Sequence, residues 1–164
     1  MEDLVKKILS AIRTVSEREY MESGLDVLRE SLYRSFPDEF NAVLRTKFEA
    51  RIGDMLKQFF SKPSYMRNPI LIAADIDAIS KAIRAMRVLR LEVGLEPSED
   101  VISRVAGWVA GNVGSDIALD IVHFPNVVGG ARIVFQGKYK ENTLDEMIQR
   151  VFDTKRGMIE KELQ

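Results

Sequence analysis

The run Ile117-Ala118-Leu119-Asp120-Ile121-Val122-His123 and the run Ala131-Arg132-Ile133-Val134-Phe135-Gln136, on either side of the pair Gly129-Gly130, decide the fold. In both, apolar side chains fall at every second position, the period of a strand that buries one face. The glycine pair supplies the corner between them, at a place where a turn or bulge calls for positive φ. A third alternation, Leu89, Leu91 and Val93, lies upstream and is closed by Gly94 and Pro97. Between this strand and the next, Ser98 with Glu99 and Asp100 behind it is a helix start, with acids at the positive end of the dipole. Val101, Ile102, Val105, Trp108 and Val109 continue that helix toward a stop at Gly111 and Gly114. After the turn at Gly137-Lys138, Thr143-Leu144-Asp145-Glu146 has the form of a capping box, and Met147, Ile148, Val151, Phe152 and Ile159 carry a last helix. From residue 86 onward the order reads β-α-β-β-α.

Upstream the period is 3.6. Leu4, Val5, Ile8, Ile12 and Val15 recur at helical spacing, as do Met21, Leu25, Leu28 and Leu32 beyond a polar break at Ser16 to Glu19. These are two amphipathic helices, or one interrupted at Gly24. Phe40, Val43, Leu44, Phe48, Ile52, Met55, Leu56 and Phe59 form one stripe, which predicts a single helix over 38–60. Two prolines then mark a linker, and Asn68 before Pro69 caps a helix carried by Ile72, Ile76, Ile79, Ile83 and Met86. The expected fold class is therefore α+β. An N-terminal antiparallel helical bundle over 1–84 precedes a small α/β domain over 86–164.

Composition narrows the function. The 164 residues are 46% hydrophobic and 30% charged with a net charge of −1, so a globular chain with a sizeable core is expected. Near-equal acids and bases lack the electrostatic footprint of a dedicated nucleic-acid binder. Without cysteine, and with His123 as the one histidine, neither a thiolate nor a His-rich metal site can be built, and no cofactor is expected. The acidic, amphipathic start is unlike a signal peptide, and no apolar stretch approaches the roughly 20 residues of a membrane span. A cytoplasmic location without direct membrane insertion fits these features.

Few residues suggest chemistry. His123 near Asp116 and Asp120 could serve a small enzyme, but no Ser or Cys partner is identifiable and a structural histidine is the plainer reading. Asp75 and Asp77 do not share a helix face and read as solvated carboxylates. The stripe holding Phe40, Phe48, Ile52 and Phe59 is either internal core or a groove for a partner helix. Trp108 is either a core anchor or an interface hot spot.

The segment Pro125-Asn126-Val127-Val128-Gly129-Gly130-Ala131-Arg132-Ile133-Val134-Phe135-Gln136-Gly137-Lys138-Tyr139, with a strand before it and a capped helix after it, resembles the C-terminal end of the ATP synthase delta subunit family, the oligomycin-sensitivity-conferring protein of mitochondria. Asn142-Thr143 after a glycine turn also looks like the C-terminal domain of the V-type and archaeal ATPase E subunit. Pro125, Gly129, Gly130, Gly137, Asn142 and Thr143 carry the likeness. It implies a non-catalytic stator subunit: the C-terminal domain holds the peripheral-stalk helices, the helical region grips the catalytic head, and the protein sits at the membrane only through its complex. Two rival expectations are an α/β adaptor that dimerises through a sheet edge and the small enzyme built on His123.

Overall fold

A computed structural model describes residues 1–34, 36–65, 68–127, 129–144 and 147–148. Among these residues the chain is α+β, with six α-helices and a four-stranded mixed sheet. The helices are α1 (Glu2–Ala11), α2 (Val15–Ser31), α3 (Asp38–Thr46), α4 (Ala50–Phe60), α5 (Pro69–Arg84) and α6 (Glu99–Asn112). The strands are β1 (Arg87–Val93), β2 (Ile117–His123), β3 (Gly130–Phe135) and β4 (Lys138–Thr143).

Local chemistry sets the boundaries. Thr14 accepts from the Glu17 amide while the Glu17 side chain accepts from the Thr14 amide, a reciprocal capping box that starts α2. The helical break expected at Ser16 to Glu19 thus falls earlier, at Ile12 to Thr14, and Gly24 lies inside α2. Asn68 accepts from the Leu71 amide with Pro69 opening α5, as its sequence predicts. The single helix expected over 38–60 is two helices. Glu49 is extended, with φ −56 and ψ 145, and Phe48 turns into the core, where its ring lies 3.1 Å from where a Cβ on Gly24 would be. Gly53 lets α4 cross close beneath α3, since a Cβ there would stand 2.5 Å from the Leu44 carbonyl oxygen. The apolar stripe runs through the break unaltered, because both halves bury the same side.

One core cluster takes Ile8, Leu25, Leu28 and Leu56 from α1, α2 and α4, and Ile72, Ile76, Ile79 and Ile83 from α5. The same cluster reaches Met86 and Ala118, so the sheet's β2 meets the helices directly. A second cluster gathers Leu89, Ile117 and Leu119 under Val109 of α6.

The sheet order is β2-β1-β3-β4, with β1 and β2 parallel through the α6 crossover and the other pairs antiparallel. The fourth strand corrects the expected order: residues 138–143 pair with β3, where the sequence suggests only a turn and a helix start. Gln136 and Gly137, at φ 50 and 74, form a two-residue hairpin loop whose two positive φ angles match the strand twist. Gly129 and Gly130, at φ 62 and 101, have the positive φ their sequence predicts. The two strands they connect, however, are not the adjacent pair their alternation suggests, because β1 lies between β2 and β3 and pairs with both. Of the closing helix, Asp145, Glu146, Val151, Phe152 and Ile159 lie outside the described residues, while Met147 and Ile148 are exposed.

Candidate docking surface

The ladder register sorts the sheet residues by face. Leu89, Leu91 and Val93 align with Leu119, Ile121 and His123 on one side and with Phe135, Ile133 and Ala131 on the other. On β4 the partners of Phe135 and Ile133 are Lys138 and Lys140. Directly paired residues point the same way, so these side chains share one face, the face on which α6 packs.

Cover by α6 is incomplete. Leu91, Ile121, Ile133 and Phe135 stay half-buried, and Trp108 is 62% exposed. The lean of α6 explains this. Glu99 and Ser103 reach Arg13 at 2.5 and 2.8 Å, and Arg13 lies beyond the outer edge of β2, where its carbonyl accepts from the Leu119 amide at 2.8 Å. At 100° per residue, Val101 and Trp108 stand on the flank opposite Glu99 and Ser103, with Val105 between them and the sheet. That flank borders β1 and β3. Val101, Arg104, Val105 and Trp108 outline a shallow hollow of about 260 Å³ there. Trp108 is therefore an exposed residue and not the core anchor that its apolar neighbours allow.

At the upper end, where β1 and β2 terminate, Leu95, Pro97, Val101, Pro125, Val127 and Gly130 surround a second recess of about 680 Å³. Leu95 is 82% exposed at its rim. Gly94 permits the close approach of Val127, whose carbonyl oxygen would lie 1.9 Å from a Cβ. Pro125 and Gly129 line this recess, and Gly130 crosses close over Asn142 beside it.

The opposite face is a charged ladder. Arg90 lies 3.3 Å from Asp120 and 3.2 Å from Glu92, and Arg132 lies 3.2 Å from Glu141. Glu141 also accepts from Tyr139 at 2.6 Å and Thr143 at 2.9 Å, and these bonds, Tyr139 first, hold its carboxyl below the usual range. Each cation here has a nearby acid. Lys138 and Lys140, on the α6 face, have no acid within ion-pair distance among the described residues.

The helical half holds a different concavity. Phe36, Phe40, Leu44, Phe60, Tyr65 and Ile72 line a groove of about 720 Å³, with Lys57 at its edge. Phe40 is buried at its floor, edge-on to Phe36 and Phe60 at 5.8 Å. Phe48 and Ile52 are buried too, and the structure places them in the intramolecular core beside a smaller recess next to Tyr20 and Met21. Phe59 is partly buried, with the Lys62 ammonium 4.4 Å above its ring. Of the four, Phe59 alone is partly buried; Phe40 lines the groove and Phe48 and Ile52 the smaller recess from buried positions.

The sequence's candidate catalytic group is dispersed. Asp116 immediately precedes β2 and His123 closes it, about 23 Å apart at strand spacing. Asp120 points to the charged face, whereas His123 lies on the α6 face against the Gly94 carbonyl at 3.2 Å. Asp116 forms a two-pronged pair with Arg87, which lowers its pKa. Asp75 accepts from the Tyr65 hydroxyl, whose pKa burial and then this bond push up to about 12. Asp77 pairs with Arg29 at 2.7 Å. Asp75 is thus tied to Tyr65, while Asp77 stays solvent-exposed, as its sequence predicts, in a surface pair with Arg29.

Among the described residues no helix is long and apolar enough to cross a membrane. Nor do three His, Asp or Glu side chains among them gather into a metal-binding group. No known protein-family model matches the chain, and no curated protein matches it either.

Proposed function

We propose that the chain is a non-catalytic stator subunit of a rotary ATPase, holding partner helices and performing no chemistry of its own. The observation that carries this reading is Trp108, an exposed indole on a flank of α6 beside an incompletely covered apolar sheet face. Aromatic anchors of this kind dominate the energetics of protein joints. The β3–β4 hairpin supports the reading from another side. Its Gly129-Gly130 corner, Gly137 turn and terminal Asn142-Thr143 are the residues that resemble the delta and E subunits. On this reading α1 to α5 act as an antiparallel bundle that grips the catalytic head, the sheet domain binds peripheral-stalk helices, and the protein stays in the cytoplasm, at the membrane only through its complex.

A stator works by rigidity, so each joint must hold without slipping while torque crosses it. Several kcal/mol per joint is the scale that buried aromatic and aliphatic anchors supply. The adaptor alternative, pairing through the free edge of β4, meets an obstacle in Lys138 and Lys140, because charged edge strands disfavour edge-to-edge pairing.

The test is purification of the tagged chain after mild cross-linking of native membranes, with mass spectrometry of what accompanies it. Head and peripheral-stalk subunits of a rotary ATPase, lost or reduced with Trp108→Ala, are the expected result. An intact ATPase in the same extract with none of its subunits cross-linked to the chain overturns the reading.

A further inference from the structure

We infer that the shelf between α6 and β4 takes an amphipathic helix whose apolar stripe is flanked by acidic residues. The inference rests on the docking reading above and names the partner's chemistry at that surface. Three features define it. The floor is Leu91, Ile133 and Phe135, half-buried beside the cluster that α6 covers, with the Arg87 guanidinium 5.5 Å from the Phe135 ring at one end. The wall is Val101, Val105 and Trp108, with the shallow hollow of about 260 Å³ between them. The far rim is basic, because the register turns Lys138 and Lys140 to this face beside Phe135 and Ile133.

Charge selects the occupant. An apolar stripe seated on Ile133 and Phe135 brings its outer flank over the two lysines. The acids of β4 do not compensate them, since Glu141 faces the other side and is held there by Arg132, Tyr139 and Thr143. On the α6 side Arg104 is paired with Asp100 at 3.2 Å and Arg87 with Asp116 at 2.7 Å, so among the described residues the uncompensated charge of this face lies on the β4 side. A helix with Lys or Arg on that flank meets like charge, and one with Glu or Asp meets opposite charge. The polarity of the surface thus fixes which flank of the partner is acidic as well as its sign.

Trp108 is the one tryptophan of the chain, which provides the readout. The full-length protein is titrated with two synthetic 20-residue helices that share one leucine stripe, one with glutamate and one with lysine along a single flank. Excitation selective for tryptophan follows Trp108. The expected result is a saturable blue shift with the glutamate peptide and binding at least about tenfold weaker for the lysine peptide, the scale that two rim charges can give. The double variant Lys138→Glu/Lys140→Glu, whose substituted side chains are solvent-facing, reverses the preference. Binding without preference, or a preference that the double variant leaves unchanged, overturns the acidic-partner inference while leaving helix docking in place. A shelf already filled, by the chain itself or by a second copy, shows Trp108 emitting from a buried environment before any addition and ignoring both peptides, which also overturns it. Peptide binding of the expected kind with no ATPase subunits recovered by cross-linking leaves the inference standing and removes the stator reading alone.

Discussion

At the foot of the sheet, Arg87, the first residue of β1, and Asp116, just before β2, are joined through bonds of 2.7 and 2.9 Å. The Arg87 guanidinium holds the Asp116 carboxyl below its ordinary value of about 4. A carboxylate whose folded pKa is depressed contributes stability that is complete above its unfolded pKa and is lost as pH falls through the folded one. Both partners are largely exposed and screened by solvent, so the contribution is small. Urea denaturation of wild type and Asp116→Asn should therefore differ by a constant amount from neutrality down to about pH 5, and the gap should close below about pH 4. A gap that widens on acidification contradicts this origin. Trp108 behaves differently, because an exposed side chain with few internal contacts can be removed at little cost. Trp108→Ala is expected to shift stability by no more than about 0.5 kcal/mol, measured by the same denaturation. A larger loss would return the indole to the core.

The elements depend on local devices that differ in how openly the sequence displays them. Thr14-x-x-Glu17 is a capping box in plain form, and the polar run beside it conceals where α2 begins. Thr14→Ala should cost about 1 kcal/mol in chemical denaturation. Gly130→Ala should cost more, about 1–3 kcal/mol for a side chain forced into that backbone region. Its Cβ would also stand 2.0 Å from the Asn142 carbonyl oxygen, against the end of β4. An unchanged midpoint for Gly130→Ala would mean that β4 is not seated as described. The strands with one buried face were legible because alternation is itself the record of burial, and Leu89, Leu91, Ile133 and Phe135 all carry it. β4 was not, because Lys138, Lys140 and Asn142 on one face and Tyr139, Glu141 and Thr143 on the other give an edge strand no apolar period. With β4 unread, the basic rim beside Ile133 and Phe135 could not be seen either. The break between α3 and α4 was hidden for the opposite reason: the stripe continues, and what interrupts it is the fit of Phe48 against Gly24 and of Gly53 under Leu44, which no local pattern encodes. Trp108 has apolar neighbours at Val105 and Val109, and only the position of α6 on the sheet decides that one is covered and the other left at the surface.

Across the molecule, the described residues join the two core clusters through side-chain packing, strand hydrogen bonds and ion pairs. Ala118, fully buried on β2, belongs to the helical cluster, as does Met86 just before β1. Arg13 and Thr14, between α1 and α2, run beside β2, with Thr14 bridging to Leu119. Arg13 further binds Glu99 and Ser103 of α6. A force applied at α6 therefore has a short route to α1 and α2 through strand hydrogen bonds and packed side chains. If these joins couple the halves thermodynamically, damage to one must appear in the other. Leu25 is fully buried in α2, in the helical cluster and outside the cluster under α6. Leu25→Ala should remove about 2–5 kcal/mol, and in a coupled molecule the slowest-exchanging amides of β1 and β2 should lose the same protection as those of α5. Hydrogen exchange read by mass spectrometry separates the cases, because peptides covering 70–84 and 87–93 report the two halves independently. Equal loss in both identifies one cooperative body able to carry load from partner to partner. Loss confined to the helices identifies two bodies joined at a hinge, and the proposed stator role would then require stiffness supplied by a bound partner.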